Sequence, residues 1–120
     1  MIIKIATDFS DAPGARYKEQ GEYSGQEFRD EILYPKFLEA IDAEKILTVD
    51  LDGGYGYGSS FLEESFGGLV RKLRKEKNEN YKRVAEIKII SNDNLVWVEK
   101  IKKYIEEEIS NNKGGVINEK

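Results

Sequence analysis

The sequence predicts an α/β domain in which helices pack against a small mixed β-sheet. Short runs rich in isoleucine, leucine and valine alternate with longer segments whose apolar residues recur at helical spacing. The chain has 120 residues, enough for one domain, and its 39% of hydrophobic residues can supply a core. Because strands alternate with helices, part of the sheet is expected to be parallel.

The first strand is predicted at residues 1–6, which are rich in isoleucine. A polar loop with a Pro-Gly pair follows over residues 7–25, and loops of this length are often functional. Ser24 and Glu27 have the spacing of a capping box and predict the start of a helix. Pro35 lies inside the helical pattern and is expected to kink or divide that helix.

A second strand is predicted at residues 46–51, followed directly by a glycine-rich turn at 53–58. Ser60 and Glu63 form a second capping-box pattern, which predicts the next helix start. The glycine pair at 67–68 weakens that helix, so we expect close packing against a strand there.

A third strand is predicted at residues 84–90, and Asp93 is placed as the cap of the last helix. The polar residues 111–120 are expected to be a flexible tail, which leaves residues 1–110 as the domain.

Composition narrows the possible chemistry. The chain has no cysteine and no histidine, which excludes disulfides, thiolate sites and a Ser-His-Asp triad. The net charge of −4 does not support a broad surface for nucleic acid. No apolar run reaches the roughly 20 residues of a membrane span, and no signal peptide is evident. We therefore expect a cytoplasmic protein without a cofactor, a membrane partner or a nucleic-acid partner.

The segment 49–60 is the most informative part of the chain, because a strand, a glycine-rich turn and a helix start follow one another. The stretch from Gly53 to Ser59 matches a P-loop except that Ser59 stands where the P-loop lysine belongs. P-loop binding of a nucleotide is therefore not expected, although a helix start near Ser60 could still hold an anion.

Asp50 and Asp52 support an alternative function. An apolar strand that ends in Asp-x-Asp-Gly resembles the first motif of haloacid-dehalogenase phosphatases, which implies phosphoryl transfer with Mg²⁺. That fold also needs a later lysine and an acidic pair, and Asn92-Asp93 is a poor match for the pair. The alternative is thus a small anion- or phosphate-binding domain, or a magnesium-dependent phosphoryl-transfer enzyme.

A wider resemblance extends from residue 2 to residue 108. The sequence Asp-Leu-Asp-Gly at 50–53 and the segment 57–69 (YGSSFLEESFGGL) resemble the STAS-like domain family of unknown function. The upstream segment 12–17, the residues that follow it up to Arg29, and the IKIA start are also similar to that family. The resemblance implies a compact STAS-like domain.

Anti-sigma factor antagonists are STAS domains in which a serine or threonine at this turn is phosphorylated by a kinase-like ATPase. The resemblance places Ser59 at the phosphorylated position, Gly58 at that of the motif aspartate, and Phe61 at that of the motif glycine. It implies a regulatory protein-interaction module that is not an enzyme and is a monomer or a weak dimer. The expected switch or partner-binding residues are Arg16, Tyr57, Gly58, Ser59, Ser60, Phe61, Glu63 and Glu64.

A purely structural interpretation also remains open. The glycines would make the turn, Ser60 would cap the helix, and Asp52 would stabilise the loop. Arg16 would then form an ordinary surface ion pair instead of binding a phosphate or carboxylate. Tyrosines at four loop positions suit either an interface or the edge of a core. The chain could equally be a structural subunit of a larger complex.

Overall fold

Three short parallel strands form the sheet of this α/β fold. The computed structural model describes residues 1–111. The strands are β1 (Ile2–Lys4), β2 (Thr48–Asp50) and β3 (Lys88–Ile90), and they lie side by side in chain order. Both neighbouring pairs run parallel. The α/β prediction is confirmed, and across the described residues the sheet is parallel instead of mixed.

One face of the sheet belongs to the core. Ile3 pairs with Val49, and Val49 pairs with Ile89, so three buried side chains form a row across the strands. Successive side chains of a strand point to opposite faces. Accordingly, Ile2 and Lys88, one position away from this row, are exposed.

The helices cover the buried face. They are α1 (Ile5–Asp8), α2 (25–43), α3 (59–75) and α4 (Val96–Ser110). Because the strands lie in the order β1-β2-β3, both connections lead to the next strand in the same direction across the sheet. Right-handed crossovers in the same direction place α2 and α3 on the same face of the sheet. Helix α3 contacts both α2 and α4, and the largest buried side chains include Phe28, Phe61 and Phe66.

The start of α2 lies where the sequence predicts it. Ser24 Oγ accepts a hydrogen bond from the Glu27 N–H at 3.0 Å, which confirms the predicted cap. The Glu27 carboxylate accepts from the N–H of Tyr23, one residue earlier than a capping box requires. Pro35 follows a π-helical turn, Arg29–Leu33, and helical backbone continues through it, so Pro35 does not divide α2 into two helices.

The loop between β1 and α2 folds back on itself. The Gly14 N–H donates to the Tyr23 carbonyl at 2.7 Å. The carbonyls of Ala15 and Arg16 accept from Gly25 and Gln26 at 2.9 Å. These bonds satisfy N–H groups in the first turn of α2 and hold Arg16 beside that helix.

Two predictions in the C-terminal half are wrong in detail. Val84 is buried in a 3₁₀ helix, Glu79–Glu86, because that segment packs against α3 instead of joining the sheet. The last helix is not capped by Asp93; the Asn94 side chain accepts from the Val96 N–H at 3.1 Å. Of the expected tail, residues 112–120 lie outside the described residues. No helix in the described part of the chain is long and apolar enough to cross a membrane.

Candidate functional site: the carboxyl end of β2 and the first turns of α3

The loop after β2 is held by hydrogen bonds of its own residues. Asp50 Oδ1 accepts from the Asp52 N–H at 2.9 Å, and the Tyr57 hydroxyl donates to the Leu51 carbonyl at 2.8 Å. The Tyr57 ring packs on Phe61 with ring centroids 6.0 Å apart. Burial, followed by the charge of nearby aspartates, raises the pKa of Tyr57, so its hydroxyl remains a hydrogen-bond donor.

Asp52 joins this loop to the loop after β3. Its carboxylate accepts from the Asp93 N–H at 2.9 Å and from the Asn92 side chain at 3.1 Å. The Asp93 carboxylate in turn accepts from the Gly53 N–H at 3.2 Å. The hydrogen bond from the Asp93 backbone is the main reason why the pKa of Asp52 is lowered.

Both aspartates of the predicted phosphoryl-transfer site thus have partners within the loops. Asp50 stabilises its own turn, and Asp52 bridges two loops. Within residues 1–111, no group of three or more acidic side chains is arranged to hold a metal ion. The structure therefore gives each of the two carboxylates hydrogen-bond partners that stabilise these loops.

Helix α3 begins with two exposed serines. Gly58 is the residue before the first turn, and the helix starts at Ser59, with Ser60 inside it. No side chain caps this helix start. The predicted Ser60–Glu63 capping box is therefore wrong, because other partners occupy the Glu63 carboxylate.

Phe61 turns inward at this helix start. It is fully buried and stacks on Phe28 with ring centroids 5.9 Å apart. Phe61 therefore cannot offer its side chain to a partner, which corrects the prediction for this residue. It anchors the first turn of α3 to the core and leaves Ser59 and Ser60 on the surface.

Five charged side chains form the arginine–glutamate cluster: Arg16, Arg29, Glu63, Glu64 and Arg71. Arg16 Nη1 donates to Glu63 Oε1 at 2.5 Å and to Glu64 Oε1 at 3.3 Å. Arg29 Nη1 donates to Glu64 Oε2 at 2.5 Å. Arg71 binds both oxygens of Glu63, at 2.7 and 3.1 Å. The cluster connects the first long loop, α2 and α3.

Glu64 is the most buried member of the arginine–glutamate cluster, with 8% of its side chain exposed. It was predicted as part of a partner surface, and its burial corrects that prediction. Three arginines surround it, and a buried carboxylate needs such partners. Its role is to hold elements together.

Gly67 and Gly68 make room for the arginine–glutamate cluster. A Cβ atom on Gly67 would lie 2.6 Å from Glu63 Oε2. A Cβ on Gly68 would lie 2.9 Å from Arg29 Nη1 and 3.2 Å from Glu64 Oε2. The glycine pair therefore faces charged side chains, not the strand that the sequence analysis expected.

The arginines keep Glu63 ionised. Burial alone would raise the pKa of its carboxyl group, but the hydrogen bonds and charges of Arg71 and Arg16 outweigh burial and lower it. The pKa of Arg71 is raised, first by its hydrogen bond to Glu63. Both groups stay charged over the whole physiological pH range.

We expect the stabilising effect of Glu63 to depend on pH. Its pKa in the folded chain lies below its ordinary value, so its contribution is complete above that ordinary value and is lost as the pH falls through the folded pKa. The destabilisation caused by Glu63→Gln should be largest at neutral pH and should shrink towards about pH 3.

Urea unfolding of wild type and Glu63→Gln across this pH range measures the effect. Glu39→Gln is the matched control, because Glu39 forms only an exposed pair with Lys36. A difference between wild type and Glu63→Gln that is constant with pH would contradict the expectation.

The structure divides the predicted site residues into two groups. Gly58, Ser59 and Ser60 are exposed, with Tyr57 half-buried beside them. The other four residues are buried in the core or belong to the arginine–glutamate cluster. The sequence analysis did not identify Arg29 and Arg71 as members of the site. The only signal was the glycine pair at 67–68, which indicated that other groups of the protein approach the helix closely at that point.

The fold and site define a class of protein: a small α/β domain in which an exposed helix start follows the central strand of a parallel sheet. The family model of the STAS-like domain of unknown function (DUF4325) matches residues 24–97. The chain therefore belongs to this family, which confirms the resemblance. The similar segment at residues 12–17 lies before the matched range. Searches of curated proteins and of solved structures found no significant match.

Proposed function

We propose that this STAS-like domain is a regulatory protein-interaction module whose binding is switched by phosphorylation of Ser59. The main supporting observation is that Ser59 is exposed in the first turn of α3, whereas Phe61 and Leu62 of the same turn are fully buried. A hydroxyl on a rigid, accessible turn can be reached by a kinase and can be covered by a partner. The domain acts by binding, not by catalysis.

A phosphate at this position would change the surface without unfolding the helix. It adds about −1.5 to −2 charges, and the start of a helix tolerates negative charge. Asp52 and Asp93 lie in the loops at the same end of the sheet, so the phosphate would make this end strongly negative. A partner that covers Ser59 would have to desolvate that charge, which is costly without a matching cation.

The resemblance to anti-sigma factor antagonists suggests a kinase-like ATPase as the partner. Such a partner implies a cytoplasmic protein that is a monomer or weak dimer and needs neither nucleic acid nor membrane. Gly58 stands where those proteins have an aspartate, so we expect the partner to recognise this domain through other contacts. Tyr55, with 87% of its surface exposed in the adjoining loop, is suited to one of them.

A quantitative pull-down from native cytosol tests the proposal. Wild type is compared with Ser59→Asp. The matched control is Ser59→Asn, because asparagine has the same size as aspartate but carries no charge. We expect a specific protein on wild type and Ser59→Asn, reduced at least about tenfold on Ser59→Asp. Phosphosite mapping of the native protein should find phosphate on Ser59.

Equal retention of the partner by Ser59→Asp and Ser59→Asn would contradict a charge-sensitive switch. Absence of phosphate on Ser59 under all growth conditions would contradict its physiological use. Thermal unfolding of each variant shows whether a lost interaction reflects lost folding.

A further inference from the structure

The outer face of α4 begins with two exposed aliphatic side chains. Leu95, immediately before the helix, has 70% of its surface exposed, and Val96, the first helical residue, has 54%. The opposite face of the helix is anchored in the core by Ile101 and Ile105. Five residues of the outer face line one shallow groove: Leu95, Val96, Glu99, Lys100 and Lys103. The groove thus offers apolar surface that residues 1–111 leave uncovered.

Two opposite charges lie in the middle of this groove. Glu99 and Lys100 are neighbours in the chain and both are exposed. Adjacent residues of a helix do not face each other, so they are not placed to pair within one copy. Within residues 1–111, the ion pairs of α4 use Lys103, Glu107 and Glu108, and neither Glu99 nor Lys100 takes part. The groove therefore has one positive and one negative charge available for an external partner.

We propose that this groove is a contact surface for a second copy of the chain, with two α4 helices crossing antiparallel about a two-fold axis near Glu99 and Lys100. In a two-fold contact the same patch serves both copies, and every contact occurs twice. The antiparallel direction places Glu99 of each copy opposite Lys100 of the other. A parallel crossing would instead bring each charge against its own counterpart, which is unfavourable. The charge pattern of the groove is thus complementary to itself in one orientation.

The same crossing covers the exposed aliphatic side chains. Val96 lies one turn before the two central charges, and Lys103 lies one turn after them, at equal distance from the proposed axis. Val96 of each copy therefore faces Lys103 of the other. Lysine packs its methylene stem on apolar surface while its ammonium group stays in water. Lys103 is available for this contact, because its pair with Glu107 is long, at 4.0 Å, and both side chains are exposed.

The size of the contact implies weak association. A crossing of two helices over about three turns buries less than the roughly 1,200 Å² at which stable interfaces begin. Exposed opposite charges then determine which surfaces meet more than how tightly they bind. We expect dimers to form at protein concentrations of about 0.1–1 mM. This inference goes beyond the proposed function and does not depend on a switch at Ser59.

Sedimentation velocity of the full chain, from about 10 μM to about 1 mM, tests the proposal. Wild type should shift from monomer towards dimer as the concentration rises. Glu99→Lys makes both central charges positive, and Lys100→Glu makes both negative. Each variant alone should therefore associate at least about tenfold more weakly than wild type. An equimolar mixture of the two variants should associate again, because each copy then meets the opposite charge.

Lys102→Glu is the matched control for the charge change. It alters the net charge as Lys100→Glu does, but residues two positions apart do not share a helix face. It should associate like wild type. Val96→Asp should weaken association through the apolar part of the groove, and an acidic residue in the first turn of a helix is tolerated. Circular dichroism of each variant shows that the fold is kept, and the mixture itself shows that both variants remain competent to bind.

Three outcomes would overturn the inference. The first is a wild-type chain that remains monomeric at about 1 mM, in which case the groove does not bind a second copy. The second is a dimer that is weakened no more by Lys100→Glu than by Lys102→Glu, which would place the contact on another surface. The third is a mixture of Glu99→Lys and Lys100→Glu that associates no better than either variant alone.

Discussion

Gly25→Ala should destabilise the domain by about 3 kcal/mol, or roughly 12 °C in Tm. A Cβ atom at this position would lie 2.5 Å from the carbonyl oxygen of Phe61 and 3.1 Å from the Cβ of Glu64. The first contact is with backbone in the middle of a packed structure, which no rotamer change can relieve. Helices α2 and α3 must therefore move apart.

That separation would affect several contacts at once. The hydroxyl of Ser65 donates to the Phe61 carbonyl at 2.8 Å and contacts the Gly25 carbonyl at 3.4 Å, so it lies between the two helices. The stacked rings of Phe28 and Phe61 lie in the same contact. The substitution removes no atom, so the whole effect comes from forced displacement.

Urea unfolding monitored by circular dichroism measures the change in free energy. Gly58→Ala is the control, because a Cβ there meets no atom within 4 Å, and its effect should stay below about 1 kcal/mol. A Gly25→Ala variant as stable as wild type would show that the helices are not in close contact at this point.

The second large effect is expected for Glu64→Gln, again about 3 kcal/mol of destabilisation. The amide keeps the size of the carboxylate but removes its charge. Arg29, whose side chain is only 14% exposed, would lose its ionic partner on α3, and Arg16 and Arg71 would lose their contacts with that charge as well. Asp30 stays paired with Arg29, so the cost comes from removing one of the two counter-charges of a mostly buried guanidinium.

This effect is measured by urea unfolding at neutral pH. Glu39→Gln removes an exposed carboxylate whose pair with Lys36 lies on the surface of α2. It should change the free energy of unfolding by less than about 0.5 kcal/mol. If Glu64→Gln were equally mild, the arginine–glutamate cluster would not contribute to the contact between α2 and α3.

The arginine–glutamate cluster and the exposed serines occupy successive turns of one helix. Ser59 and Ser60 are accessible, and Glu63 and Glu64 follow them and bind to the rest of the domain. A modification at the first turn of α3 would therefore lie one helical turn before Glu63, whose ion pair with Arg16 helps to hold the loop at residues 7–25 in place.

The sequence by itself determined the local features of this protein. The alternation of strands and helices and the cap at Ser24 were evident from neighbouring residues, and the STAS-like family was indicated by a resemblance along most of the chain. Caps, turns and periodicity depend on residues a few positions apart, so the sequence contains the information directly.

Only the tertiary structure decided the partners of the charged and aromatic side chains. Arg16 and Glu63 are 47 positions apart, and nothing local indicated that they would meet. Glu63 had a plausible local role as a cap, but two arginines brought close by the fold bind it more strongly than the backbone does. Phe61 looked exposed beside two serines, yet one turn of a helix contains both a surface and a core face. Which residue lies on which face was decided by where α3 packs on the sheet and on α2.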